Sequence, residues 1–273
     1  MPLLILALLA FAIIGFVVGQ PYWQKWQRQR IKARPFPEAW RRILKQRMPY
    51  FRALPADLQL QLKKHIQVFI AEKVFIGCDG LTVTDEMRVT IAAQACLLLL
   101  NRPDHYYPKL KSILIYPAAF IVQSEQTDAA GLVSAQQRVL SGESWGQGRV
   151  ILSWQDTLSG AADPGDGHNV VIHEFAHQLD QENGPAQGAP VLNRSSDYQQ
   201  WSSVMQQAFE QLHRQLALGQ PVLLDPYAAT NPAEFFAVLS EVFFEQATQL
   251  SQLHPELYQL LSRFYRLDPL SWH

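Results

Sequence analysis

Only two cysteines, Cys78 and Cys96, occur among the 273 residues. That scarcity excludes a disulfide-stapled secreted scaffold and a zinc site built on four thiolates. Cys96 falls in an apolar helical stretch and reads as a small buried side chain. Cys78 sits at a turn, and a reducing cytoplasm suits both. Net charge is equally sparse, with 23 Lys+Arg against 24 Asp+Glu. No basic excess marks a nucleic-acid partner. Internal repeats and low-complexity tracts are absent. What the chain does have is apolar substance: 48% hydrophobic and 11% aromatic residues, enough to fill a core and exclude disorder as the main state.

Charge is missing altogether from Pro2 to Gln20. The run predicts a transmembrane helix over residues 3–19, roughly 26 Å long at ~1.5 Å per residue. Tyr22, Trp23 and Trp26 follow where headgroup-level aromatics belong. Lys25, Arg28, Arg30, Lys32 and Arg34 come next, ahead of the first acid, Glu38. By the positive-inside rule this flank stays in the cytoplasm. The expectation is a single-pass protein of the inner (cytoplasmic) membrane whose main domain faces the cytoplasm. A cleavable signal would carry its charges before the run and a small-residue cleavage site after it; neither is seen. The predicted division is an anchor over 1–24, a basic juxtamembrane linker over 25–37 and one domain over 38–273. Without the five flank cations, 18 basic residues face 24 acidic ones, so the body is a mildly acidic domain.

Within that body, residues 38–47 form an amphipathic stretch after Pro35 and Pro37. Leu58, Leu60, Leu62, Ile66, Phe69 and Ile70 recur mostly at helical spacing, predicting a helix over about 55–71. Cys78-Asp-Gly-Leu reads as a turn. Thr84 is an N-cap with Asp85 and Glu86 in the first turn of a helix running to about Leu100. SILIYP (112–117), AFIVQ (119–123), QRVL (137–140) and GRVILSW (148–154) are short β-rich runs, with a turn at Ser141-Gly142. After residue 168 the pattern is helical to the end. Helices, a small sheet, then helices predict an α+β domain, mostly helical.

The chemistry concentrates in His173-Glu174-Phe175-Ala176-His177. Histidines four apart share one helix face, so both imidazoles can hold one cation while the intervening Glu reaches a water as general base. NVVIHEFAHQLD contains neither Pro nor Gly, and its uncharged neighbours suit a buried metal helix. The competing reading is two surface histidines on an amphipathic helix. A catalytic zinc needs a third protein ligand. The metzincin extension would want Gly at 180 and His at 183; the chain has Asp180 and Asn183. A spacing of about twenty residues reaches Ser195, Ser196 and Asp197 but no Glu. Two candidates remain downstream, Glu234 and Glu241, seven residues apart and on one face. Glu234 also reads as a capping-box acid after Asn231 and Pro232. Spacing leaves the two open. Asp180 shares the face of the histidines and reads either as an orienting acid or as a helix terminus. His168 reads as loop, and the remaining histidines carry no role.

HEFAHQLD (173–180), DPYAATNPAEFFAVLSEVFF (225–244), IYPAAFIV (115–122), SGESWGQGRVILSW (141–154) and FYRLDP (264–269) resemble the Mlc titration factor A family of zinc metallopeptidases, over roughly residues 40 to 270. The resemblance implies a zincin-like metallopeptidase domain with one zinc per chain. It implies Glu234 as third ligand beside His173 and His177, a peptide substrate, and an Mlc-like repressor as regulatory partner. Through the family's similarity to the anthrax lethal factor catalytic domain, it also implies a substrate-side role for Tyr227. The predicted reaction is peptide hydrolysis with Glu174 as general base and the Tyr227 phenol donating to the developing oxyanion. The alternative is a membrane-tethered regulatory protein whose zinc is structural, closed by Asp180 or Glu241 as a fourth ligand. A periplasmic peptidase would require the opposite topology.

Overall fold

The computed structural model describes residues 2–102, 106–127, 133–140, 142–145, 148–192 and 194–272. Helix α1 spans Pro2–Lys32, followed by α2 (Glu38–Arg47), α3 (Tyr50–Ala53) and α4 (Ala56–Glu72). Strand β1 (Val74–Gly77) and α5 (Asp85–Leu97) lead into β2 (Ser112–Tyr116). An antiparallel pair, β3 (Phe120–Thr127) and β4 (Val133–Leu140), stands as a sheet of its own. Then come β5 (Gly142–Trp145), β6 (Arg149–Ser153), α6 (Trp154–Ala162), α7 (Val170–Asp180), α8 (Ser195–Ala217), α9 (Pro232–Glu245), α10 (Ala247–Leu253) and α11 (Pro255–Tyr265).

The main sheet has the order β1-β2-β6-β5, with β1, β2 and β6 parallel and β5 antiparallel on the edge. This agrees with a mostly helical α+β reading, with one addition. β1 and β2 are adjacent and parallel, so β1-α5-β2 is a crossover unit, and α5 packs against α4, α2, α6 and α7. β1 was missed because four residues directly after a long helix give periodicity nothing to work on. Thr84 caps α5 as expected, its hydroxyl accepting from Met87 N–H at 3.3 Å. Cys78 and Cys96 are both free, and Cys96 is buried. Ser141, half of the predicted turn, lies outside the described residues, as do His105 and His273.

Among the described residues no helix is long and apolar enough to cross a membrane. The transmembrane helix expected over residues 3–19 is therefore not supported by the structure. α1 continues without a break through Lys25, Arg28 and Arg30 to Lys32, and its charged end docks on the body. Arg28 donates from Nε and Nη2 to the two carboxylate oxygens of Glu72 on α4, at 2.7 and 2.9 Å. The Arg28 guanidinium also lies 4.8 Å from the Tyr106 ring centroid.

The core wraps the middle helices. In α5, Val89, Ile91, Ala92, Ala93, Ala95 and Cys96 are all fully buried. α7 packs against α5, α9 and β5. Helix α9 is apolar nearly all round, with Phe235, Phe236, Ala237, Leu239, Phe243 and Phe244 buried, as a helix at the centre of a domain must be.

Candidate active site

Asn169 starts α7 by accepting from Ile172 N–H at 3.0 Å. One side of the helix is then driven inward by Val171, Ile172, Phe175, Ala176 and Leu179, all essentially inaccessible. The Phe175 ring sits 5.6 Å from Phe69 and 4.8 Å from Tyr107. With that face committed to the core, His173 and His177 are left on the facing side, one turn apart, with ring centroids 4.9 Å apart.

The third group comes from the first turn of α9. Asn231 caps that helix, accepting from Ala233 and Glu234 N–H at 2.9 and 3.0 Å, and Pro232 is its first residue. The Glu234 carboxylate turns to the histidines. Its Oε2 lies 2.9 Å from His173 Nε2 and 3.3 Å from His177 Nε2. Two imidazole nitrogens thus converge on one carboxylate oxygen, and ligand atoms of the three residues lie within 4.8 Å of one another. Tetrahedral zinc with bonds of about 2.0–2.1 Å sets its ligands about 3.3 Å apart, and the two separations from Glu234 Oε2 lie within a few tenths of an ångström of that value.

Electrostatics point the same way. Burial works against a charged His173, yet its hydrogen bonds to Glu234 and Glu241 hold its pKa well above the ordinary imidazole value. Burial would likewise raise Glu234, but hydrogen bonds from His173 and His177 outweigh it and hold the carboxyl far below the usual carboxylate range. This is a concentrated negative site that a divalent cation would satisfy.

Glu241, one of the two open candidates, is on the other side of His173. Its Oε1 lies 2.8 Å from Nδ1 of that ring, and its Oε2 accepts from Asn169 N–H at 2.5 Å. A carboxylate on Nδ1 keeps the proton there and leaves Nε2 free to face a metal. Asp180 is fully buried and spends its carboxylate on a loop, accepting from Gln187, Gly188 and Ala189 N–H at 2.7, 2.7 and 2.9 Å. Burial pushes its carboxyl up, partly offset by those three bonds.

Glu174, His173 and Glu241 line a cavity of about 460 Å³ together with Asp225, Tyr227 and Val238. Glu174 is 4% exposed. Tyr227 follows a tight turn in which Asp225 accepts its N–H at 2.7 Å, and its ring centroid is 6.1 Å from that of His173. His168 is an exposed loop residue on the cavity wall, its N–H donating to Asp166 at 2.8 Å. Sequence reasoning passed over Asn169 and Glu245. The Asn169 amide donates to Glu245 Oε1 at 2.9 Å. An Asn directly before the apolar start of the motif helix was the available signal.

The profile of the glucose-regulated metallo-peptidase M90 family matches residues 23–266. The uncharacterized protein slr2042 of Synechocystis sp. is 41% identical over 271 residues, covering 99% of this chain and 98% of its own. Mlc titration factor A of Serratia proteamaculans is 38% identical over 207 residues, 74% of this chain and 77% of its own. The Klebsiella pneumoniae protein of the same name is 37% identical over 227 residues, 82% of this chain and 84% of its own.

Proposed function

Because the chain belongs to the glucose-regulated metallo-peptidase M90 family, we propose that it is a zinc-dependent peptidase, with His173, His177 and Glu234 as ligands. The observation that carries this reading is the engagement of both spare acids. Glu241 is held by His173 Nδ1 and Asn169 N–H, and Asp180 by three backbone donors. Neither is free to close the site as a fourth ligand, and an open fourth position is what separates catalytic from structural zinc.

When bound, zinc supplies an acidified water and polarises the substrate carbonyl. The chain's own groups do the rest. Glu174, buried on the cavity wall, takes the proton of the attacking water and returns it to the leaving amine. Tyr227, beside His173, offers its phenol to the oxygen on which negative charge develops. Glu241 fixes the tautomer and rotation of His173. The test is Glu174→Gln, with zinc content and cleavage of a fluorogenic peptide library measured together. The variant should retain stoichiometric zinc and lose cleavage by 10²-fold or more. Cleavage at the wild-type rate would sink the mechanism.

Relatives named Mlc titration factor A favour a second reading, a regulatory protein that binds an Mlc-like repressor. Zinc binding with no cleavage of any library peptide, together with capture of such a repressor, would favour it. The membrane location belongs to the proposal as well. The uncharged run over 2–20 supports it, as do the exposed Phe16, Val17, Val18, Tyr22, Trp23 and Trp26. The domain would then face the cytoplasm. Release of the full chain from membranes by alkaline carbonate would end that part of the reading, and a reporter fused after His273 checks the side.

A further inference from the structure

Asp180 ends the helix that carries both histidines, where a carboxylate meets the unfavourable end of the helix dipole. Its compensation is the backbone of one loop, residues 187–189, which delivers three N–H groups to it. The loop is gripped on two further sides. The buried Trp201 indole donates from Nε1 to the Gly188 carbonyl at 2.8 Å. Gly188 itself sits at φ +76°, and a Cβ there would lie 2.4 Å from the carbonyl oxygen of Pro232 and 2.9 Å from its carbon. Pro232 is the first residue of α9, two residues before Glu234. An unbroken line of contacts therefore runs from His177, through Asp180 three residues on, across the loop, to the start of the helix that presents Glu234. Its members are the buried Asp180 and Trp201 side chains, three backbone amides and the buried Gly188 packed against the Pro232 backbone.

We propose that Asp180 is a positioning residue of the metal site, acting through the 187–189 loop as a spacer that sets the gap between the histidine helix and the Glu234 helix. This rests on the zinc reading given above. Two replacements probe the spacer from opposite ends. Asp180→Asn can accept through one oxygen only and turns an amide donor towards the loop's N–H groups. Gly188→Ala drives a methyl group into the Pro232 carbonyl and so shifts the first turn of α9. Neither alters a ligand.

The experiment measures zinc affinity of the full chain by competition with a chromophoric chelator, the visible d–d spectrum of the cobalt-loaded protein, and the melting temperature of metal-free samples. Both variants should lose zinc affinity about 3- to 30-fold, and both should shift the cobalt bands, because the ligand geometry has changed. A purely structural role would lower the melting temperature of metal-free protein and leave the cobalt spectrum of the folded fraction as in wild type. That result, or affinities within threefold of wild type, overturns the proposal. Should Asp180→Asn fail to fold, Trp201→Phe decides. It removes the indole N–H bond to Gly188 along with part of the ring packed on Phe236 and Phe264, so a lower melting temperature is expected and only the metal readouts decide. Zinc should weaken several-fold with displaced cobalt bands, and unchanged bands reject the spacer. If the wild-type chain itself binds no zinc, the reading of the site fails first, and the two failures are told apart.

Discussion

Glu241→Gln is the sharpest single perturbation of the metal site, because it changes charge and donor pattern with almost no change of shape. The native carboxylate accepts two N–H groups at once, from His173 Nδ1 at 2.8 Å and from Asn169 at 2.5 Å. An amide has one acceptor oxygen. Glutamine must therefore present its NH2 either to the ring nitrogen, which then gives up its proton to Nε2, or to the Asn169 N–H at the start of α7. The first outcome blocks the ligand atom. The second strands a buried backbone donor, at a cost of about 1–3 kcal/mol. Either way zinc affinity should fall about 10- to 100-fold, or about 1.4–2.7 kcal/mol. Chelator competition on the purified chain reads the affinity directly, and circular dichroism confirms that α7 is retained. Wild-type affinity in a folded Glu241→Gln protein would refute the assignment of Glu241 as the group that orients His173.

Three further outcomes follow from the same geometry. Glu245 has its pKa raised to about 8 by burial, assisted by Asp166 and Glu241 and opposed by the Asn169 hydrogen bond. Its unfolded value is near 4.3, so the native state holds an extra proton between those limits and stability falls as pH rises through that window. Glu245→Gln should therefore gain on wild type by a few kcal/mol between pH 5 and pH 9 in urea melts, and a constant difference would contradict this. Phe175→Ala empties the space between Phe69 and Tyr107 on the core side of α7 and should cost about 3–5 kcal/mol in denaturant unfolding. A loss under 1 kcal/mol would mean that the ring is not holding the helix. Tyr227→Phe, at a half-exposed position, should leave zinc affinity and melting temperature alone while lowering kcat on the order of 10²-fold; an unchanged kcat removes the phenol from the mechanism.

Local rules carried the sequence reading a long way and stopped at identifiable points. α2, α4 and α5 follow from periodicity and caps, and the two histidines follow from their four-residue spacing. The choice between Glu234 and Glu241 was out of reach for a physical reason. Both face His173, two turns apart on α9, and they differ in which ring nitrogen they meet, which periodicity cannot express. Asp180 was placed on the histidine face by the same counting. Its carboxylate instead follows the amides of a loop seven to nine residues later, and only the tertiary fold brings them there. β5 was invisible because Gly-Glu-Ser-Trp has no strand-like pattern and is held by its neighbour β6.

The two-pronged contact between Arg28 and Glu72 has a mechanical side. A helix of 31 residues is a rod of roughly 46 Å at ~1.5 Å per residue, and this one is clamped near its charged end. It is a helical arm with Pro21 inside it, where the missing N–H lets the axis bend. Whatever grips the far end would thereby limit the stand-off of the His173 cavity from the point of attachment. Access for a chain to be cut would then depend on height above that point as much as on the residues flanking the bond.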